Sequence, residues 1–240
     1  MNTVRIAMWS GPRNLSTAMM RSFGARADTT CVDEPFYAAY LARTGFDHPM
    51  RDEIIAAYPE DAEAVALRLS EAPVSKPIFY QKHMTHHMLP DMPRAWMGKV
   101  RHAFLIRHPA RVLASYANKM QSASLEAIGF PQQVALFEEA AQRTSEAPVV
   151  IDSDDILRDS PRALAALCAA LGIGYDPAML SWEKGPKPED GVWAPHWYDA
   201  VWASTGFAAA PGPLPDLPDH LARIGDEALP LYERLASYKL

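Results

Sequence analysis

Four short stretches carry side chains suited to chemistry on an anion. Pro12-Arg13-Asn14-Leu15-Ser16-Thr17 sets a cation, an amide and two hydroxyls within six residues. At the start of a helix, such a loop can grip an anion, most often a phosphate. Asp33-Glu34 offers two adjacent carboxylates, and Glu34 is placed to act as a proton acceptor. Lys82-His83-Met84-Thr85-His86-His87 gathers a lysine and three histidines. Arg107-His108-Pro109, followed by Ser115, supplies an arginine and a hydroxyl that can hold one anion together. An ordinary reading stands beside each. The loop can be a βα turn with a capping Asn or Ser. Asp33 can cap a helix that has Pro35 at its first position, a histidine can be a hydrogen-bonded structural residue, and Arg107 can sit in a surface ion pair. His83 and His87 stand one helical turn apart, but no Glu accompanies them in a His-Glu-x-x-His pattern, so no metal is expected.

These stretches fall where strands end. Val4 to Trp9 reads as a buried strand closed by Ser10-Gly11-Pro12. From Leu15 the period changes, with Leu15, Met19 and Phe23 on one helical face. Further strands are expected at Thr29–Asp33, Pro77–Gln81, Val100–Ile106 and Pro148–Asp152. Helical patterns separate them: an insert over about 35–75, broken near Gly45–Pro49 and Pro59, then a helix after Pro109 with Val112, Tyr116 and Met120 on one stripe. Others lie at 132–145, between Ser153 and Gly172, and at about 218–236. Strands alternating with helices predict an α/β fold, a parallel five-stranded sheet flanked by helices. In such a sheet ligands bind outside the carboxyl ends of the strands, where Glu34, Lys82, His83 and Arg107 all fall.

Composition narrows the classes. The 240 residues suit a single domain with a small lid, and 49% apolar content is ample for a core. A net charge of −6 argues against general nucleic-acid or membrane-surface binding. No apolar run approaches a membrane span, and no signal peptide is visible, so a cytoplasmic location is expected. Cys31 and Cys168 read as two reduced, buried thiols. Over 180–215 the chain is rich in tryptophan: Trp182, Trp193, Trp197 and Trp202 fall within 21 residues. That segment is expected to form a lid, a flap over a sheet edge, or both.

Three of these segments together resemble the sulfotransferases that use 3′-phosphoadenosine 5′-phosphosulfate (PAPS). Pro12 to Thr17 is similar to that family's 5′-phosphosulfate loop, Pro-(Lys/Arg)-Ser-Gly-(Ser/Thr)-Thr. Arg107-x-Pro109 with Ser115 resembles its 3′-phosphate motif. Ile151 to Leu157, then Pro161 and a helix ending at Leu171-Gly172, resembles its fifth strand and following helix. The resemblance covers about residues 3–172 and implies a P-loop NTPase-like three-layer sandwich. It departs from the family at Asn14-Leu15, which replace Ser-Gly, and at Arg111, where an Asp is frequent.

The resemblance further implies direct transfer of a sulfuryl group from PAPS to a hydroxyl or amine, leaving the bisphosphate PAP, without a metal. Arg13 would neutralise the leaving 5′-phosphate, with Asn14, Leu15, Ser16 and Thr17 holding it. Arg107 and Ser115 would bind the 3′-phosphate. Branches of the family use either a Glu after the second strand, here Glu34, or a His after the third, here His83, as the base. Glu34 is preferred, with Lys82 or His83 assisting. A small organic acceptor is expected, with no nucleic-acid or membrane partner. Two alternatives remain: an ATP-dependent kinase or nucleotide hydrolase, for which the loop lacks the Gly-Lys pair of a Walker A motif, and a non-catalytic nucleotide-binding module.

Overall fold

Val4–Ser10 (β1) runs through the middle of the sheet, and its residues Ile6 to Trp9 are wholly buried, as an apolar run covered on both faces must be. The computed structural model describes residues 3–117 and 123–240. Met120, expected on a helical stripe, lies outside them. With β2 (Thr29–Asp33), β3 (Ile78–Met84), β4 (Arg101–Ile106) and β5 (Val149–Asp152), β1 forms one five-stranded parallel sheet in the order β2-β3-β1-β4-β5. Parallel neighbours require crossovers, and the helices supply them.

In chain order the helices are α1 (Ser16–Gly24), α2 (Tyr37–Thr44), α3 (Arg51–Ala57), α4 (Ala62–Glu71), α5 (Pro109–Ala117), α6 (Phe130–Thr144), α7 (Ser153–Arg158), α8 (Ser160–Ala170), α9 (Ala194–Trp197), α10 (Asp199–Trp202) and α11 (Asp219–Ala236). They cover both faces of the sheet. On one, Phe23 of α1 stacks on Tyr80 of β3 with ring centroids 4.3 Å apart. On the other, Gln81 donates to the Leu69 carbonyl of α4, and Phe104 of β4 meets Phe137 of α6 edge to face. The result is a three-layer sandwich of P-loop NTPase-like type. Cys31 is half-buried and Cys168 buried, and both are free thiols. Among the described residues no helix is long and apolar enough to cross a membrane.

Two details differ from expectation, and both bear on the site. β3 continues three residues past Gln81, to Met84, with every residue buried. Polar Lys82 and His83 stay in the ladder because each finds a buried partner there. Asp33 caps no helix: α2 begins at Tyr37 with no side-chain cap, and the Asp33 carboxylate turns instead to Lys82.

Candidate active site

The turn after β1 is shaped by close approach. A Cβ at Gly11 would meet the Ile128 carbonyl oxygen at 2.7 Å, so only glycine lets the 124–129 turn pack there. Beyond it, Arg13 (φ 59°) and Leu15 (φ 55°) both hold left-handed backbone, which is rare for side chains of that size. Leu15 thus adopts a conformation that the family's glycine takes freely. The strain is held in place from several directions. Asn14 is buried and donates to the Leu105 carbonyl at 2.6 Å. Arg107 Nη1 donates to the Arg13 carbonyl at 2.8 Å, and Arg13 Nε donates to Ser115 Oγ at 3.0 Å. No side chain caps α1, so its N-terminal N–H groups face this loop without a capping oxygen. Burial lowers the proton affinity of both Arg13 and Arg107, and Arg107 Nε is buried without a hydrogen-bond partner. Two partly desolvated guanidiniums beside an uncapped helix start are chemically suited to an anion. Arg111, the other departure, pairs with Asp154 at 2.9 Å and so remains part of a charge pair.

The second half of the site lies at the ends of β2 and β3. In the parallel register Asp33 stands opposite Lys82. The Lys82 ammonium reaches Asp33 Oδ1 at 2.8 Å, Glu34 Oε1 at 2.5 Å and Tyr198 Oη at 2.8 Å. Glu34 has φ 36°, a strained value of the kind that collects at functional sites. Burial raises the Glu34 proton affinity, Lys82 opposes that, and Asp33 adds to it; the net effect is upward. Lys82 is held protonated by Asp33 and Glu34 against the opposing effect of burial.

The pleat of β3 separates Lys82 from His83, since consecutive strand residues point to opposite faces. Lys82 lies on the α1 face, whereas His83 lies on the α4/α6 face. There it stacks on Trp9 at 4.4 Å, bonds Gln81 at 3.1 Å, and burial lowers its pKa to about 3. The structure does not bring His83 to the other predicted site residues. Arg13 to Thr17, Glu34, Arg107 and Ser115 all border a single cavity of about 820 Å³. Tyr40, Phe46 and His48 of the helical insert also line it, as do His86 after β3 and Trp197, Tyr198 and Val201 near the C-terminus. Of the four clustered tryptophans, Trp197 borders the cavity, while Trp193 is buried beside Tyr198, to which it donates at 3.2 Å. Sequence reasoning missed Asp33 as a site-building residue and missed Tyr198 altogether. Among the described residues no cluster of His, Cys, Asp and Glu is arranged to hold a metal.

The sequence model of one protein family, described as a sulfotransferase domain, matches residues 4–238. Branched-chain-amino-acid aminotransferase-like protein 1 of Arabidopsis thaliana is 39% identical over 233 residues, which are 97% of this chain and 42% of that protein. The chain spans about two fifths of the length of the curated relatives it matches. A sulfotransferase from Alicyclobacillus acidocaldarius is similar in structure, with TM-score 0.57 and 12% identity over 100% of this chain and 98% of that one. A mouse sulfotransferase complexed with PAP is similar with TM-score 0.53 and 14% identity, over 94% of this chain and 82% of that one. At such identities the two structures speak for the fold.

Proposed function

The chain belongs to the sulfotransferase domain family, and on that premise we propose that it moves a sulfuryl group from PAPS to a hydroxyl or amine of a small organic acceptor. The observation that carries this reading is the shared cavity. It takes in the loop from Arg13 to Thr17, the pair Arg107 and Ser115, and the raised carboxyl of Glu34. The mouse neighbour's PAP complex supports the choice of donor. The aminotransferase-like name attaches to a whole protein of which this chain matches about two fifths, so it supports no aminotransferase reading of this chain.

The residues present fit the donor, since the orphaned Arg107 Nε and the uncapped start of α1 both call for an anion. PAPS, when bound, supplies the activated sulfuryl group and leaves as PAP. The N–H groups and hydroxyls of residues 14–17 hold the 5′-phosphate. Arg13 offsets the charge that grows there as the bond to the sulfuryl group breaks. Arg107 and Ser115 hold the 3′-phosphate, the group that distinguishes PAPS from ATP. Glu34 accepts the proton of the acceptor as its oxygen or nitrogen bonds to sulfur. His83 has no part in this reading, because it lies on the far face of the sheet.

Calorimetric titration with adenosine 3′,5′-bisphosphate, set beside ADP and ATP with and without magnesium, tests the donor. Tight, magnesium-independent binding of the bisphosphate, weakened in Arg107→Ala, is expected. Preference for ATP with magnesium overturns the proposal in favour of a phosphotransferase.

A further inference from the structure

A lysine ammonium has three hydrogens, and in Lys82 each has a partner: Asp33 Oδ1, Glu34 Oε1 and Tyr198 Oη. The side chain is 1% exposed. Lys82 therefore carries no spare hydrogen for a ligand, and its effect on the reaction must pass through the groups it holds. Two of the three are also bound to each other. Tyr198 Oη donates its own hydrogen to Asp33 Oδ2 at 2.6 Å and accepts from Trp193 Nε1 at 3.2 Å. Asp33 Oδ2 takes the Gly191 N–H as well, at 3.4 Å. Tyr198, Trp193 and Gly191 all lie in the irregular C-terminal segment. Asp33 and Lys82 lie in the sheet, and Glu34 directly follows β2.

We infer that Tyr198 is a positioning residue: with Asp33 it fixes the Lys82 ammonium so that the remaining hydrogen holds Glu34 Oε1, and the C-terminal segment thereby completes the frame of the cavity-facing carboxylate. The proton acceptor is assembled only when that segment is docked. This inference rests on the reading of Glu34 as the base.

The frame has a signature in the titration of Glu34. The groups facing Glu34 are Lys82 from β3, Asp33 from β2, Tyr198 from the C-terminal segment, Tyr37 from α2, and His87, whose Nδ1 is 3.9 Å from Glu34 Oε2 and whose ring burial keeps neutral. In Tyr198→Phe, Glu34 loses the nearby hydroxyl that helps hold its charge, and Asp33, left without that donor, takes the Lys82 hydrogen that Tyr198 had accepted, so Glu34 titrates at higher pH. In Asp33→Asn, Glu34 loses a like charge and gains a larger share of Lys82, so it titrates at lower pH. Trp202→Phe removes a bond from the same segment to Asp190 without touching the frame, and should leave Glu34 unmoved.

The measurement is carbon NMR of the full chain labelled at the glutamate side-chain carboxyl, with the Glu34 signal assigned by its loss in Glu34→Gln. Shifts of opposite sign in Tyr198→Phe and Asp33→Asn, with none in Trp202→Phe, are expected. A Glu34 titration unchanged in Tyr198→Phe, or moved equally in Trp202→Phe, overturns the inference. Should Asp33→Asn not fold, the comparison of Tyr198→Phe with Trp202→Phe still decides. No donor or acceptor is present, so this outcome is independent of the nucleotide titration that tests the donor.

Discussion

Arg13 and Glu34 border one cavity, and each is held by the protein before any ligand arrives. Arg13 is tied through Nε to Ser115 and through its carbonyl to Arg107. Its charge is thus set in advance where charge would develop on the leaving phosphate, which is the condition under which one group contributes most to rate. Arg13→Ala is expected to lower kcat by about 10²–10³-fold, while PAP affinity in calorimetry falls far less, because Arg107 and the loop N–H groups remain. Turnover close to wild type would remove Arg13 from the chemistry. Glu34→Gln keeps the size of the side chain and removes the base, so kcat should drop by roughly 10²–10⁴-fold. The wild-type pH profile checks the same assignment. As the proposed base, Glu34 would work deprotonated, and burial and Asp33 raise its pKa. Activity should therefore fail on the acid side at a pH above the ordinary glutamate value, as pH drops through the raised pKa. An acid limb at an ordinary glutamate value, or none, speaks against Glu34.

At the scale of elements, the helix behind the anion loop is anchored by the C-terminal segment. Arg21 of α1 is buried and pairs with Asp190 at 2.7 Å, with Glu189 at 3.6 Å as a weaker second partner. Asp190 also accepts from Trp202 Nε1 and the Lys187 N–H. Asp190→Ala strands a buried guanidinium, a change that costs about 3–5 kcal/mol when a buried pair is broken. In a chain of this length that corresponds to a fall in Tm on the order of 10 °C, read by a thermal melt; a Tm near wild type would mean that Glu189 alone suffices. The same elements show what a sequence can reveal. β1, the loop and α1 were legible, because an apolar run, a Ser-Gly-Pro break and a four-residue period follow one another directly. β2 was legible too, with its bounds as expected. The end of β3 was not, because Lys82 and His83 look like loop residues until their buried partners are known. Asp33 read as a cap for the same reason: only the parallel pairing of β2 with β3 sets it opposite Lys82. Tyr198 carried no local signal at all, since its partner Asp33 lies 165 positions away.

Over the whole molecule the sheet sets His83 and His102 apart from the cavity, whereas His48 and His86 line it, and the burial of the histidine rings has a consequence for stability. His83 and His102 sit on the face away from the cavity. His102 Nδ1 accepts from Trp9 Nε1 at 2.9 Å while Nε2 meets the Met97 carbonyl at 2.8 Å, an arrangement that only the neutral ring satisfies. Burial lowers the pKa to about 3 in His83, about 3 in His86 and about 4 in His102, and to well below the ordinary value in His87. In the unfolded chain each titrates near 6.5. Below that pH the unfolded state binds more protons than the folded state, so stability is present above about pH 6.5 and is lost as pH falls toward 4. Glu34 and Asp152, whose pKa values burial raises, act in the opposite sense, because the folded state binds their protons first. His48 and His108 are lowered by burial as well, so the lowered histidines outnumber the raised carboxyls and unfolding should take up protons as pH falls below about 6.5. Scanning calorimetry between pH 7 and 4.5, in buffers of different ionisation enthalpy, should show a steeply falling Tm with protons taken up on unfolding. A flat Tm without uptake would mean that these rings are hydrated or charged in the fold, and the separation of His83 from the chemistry would have to be reconsidered with them.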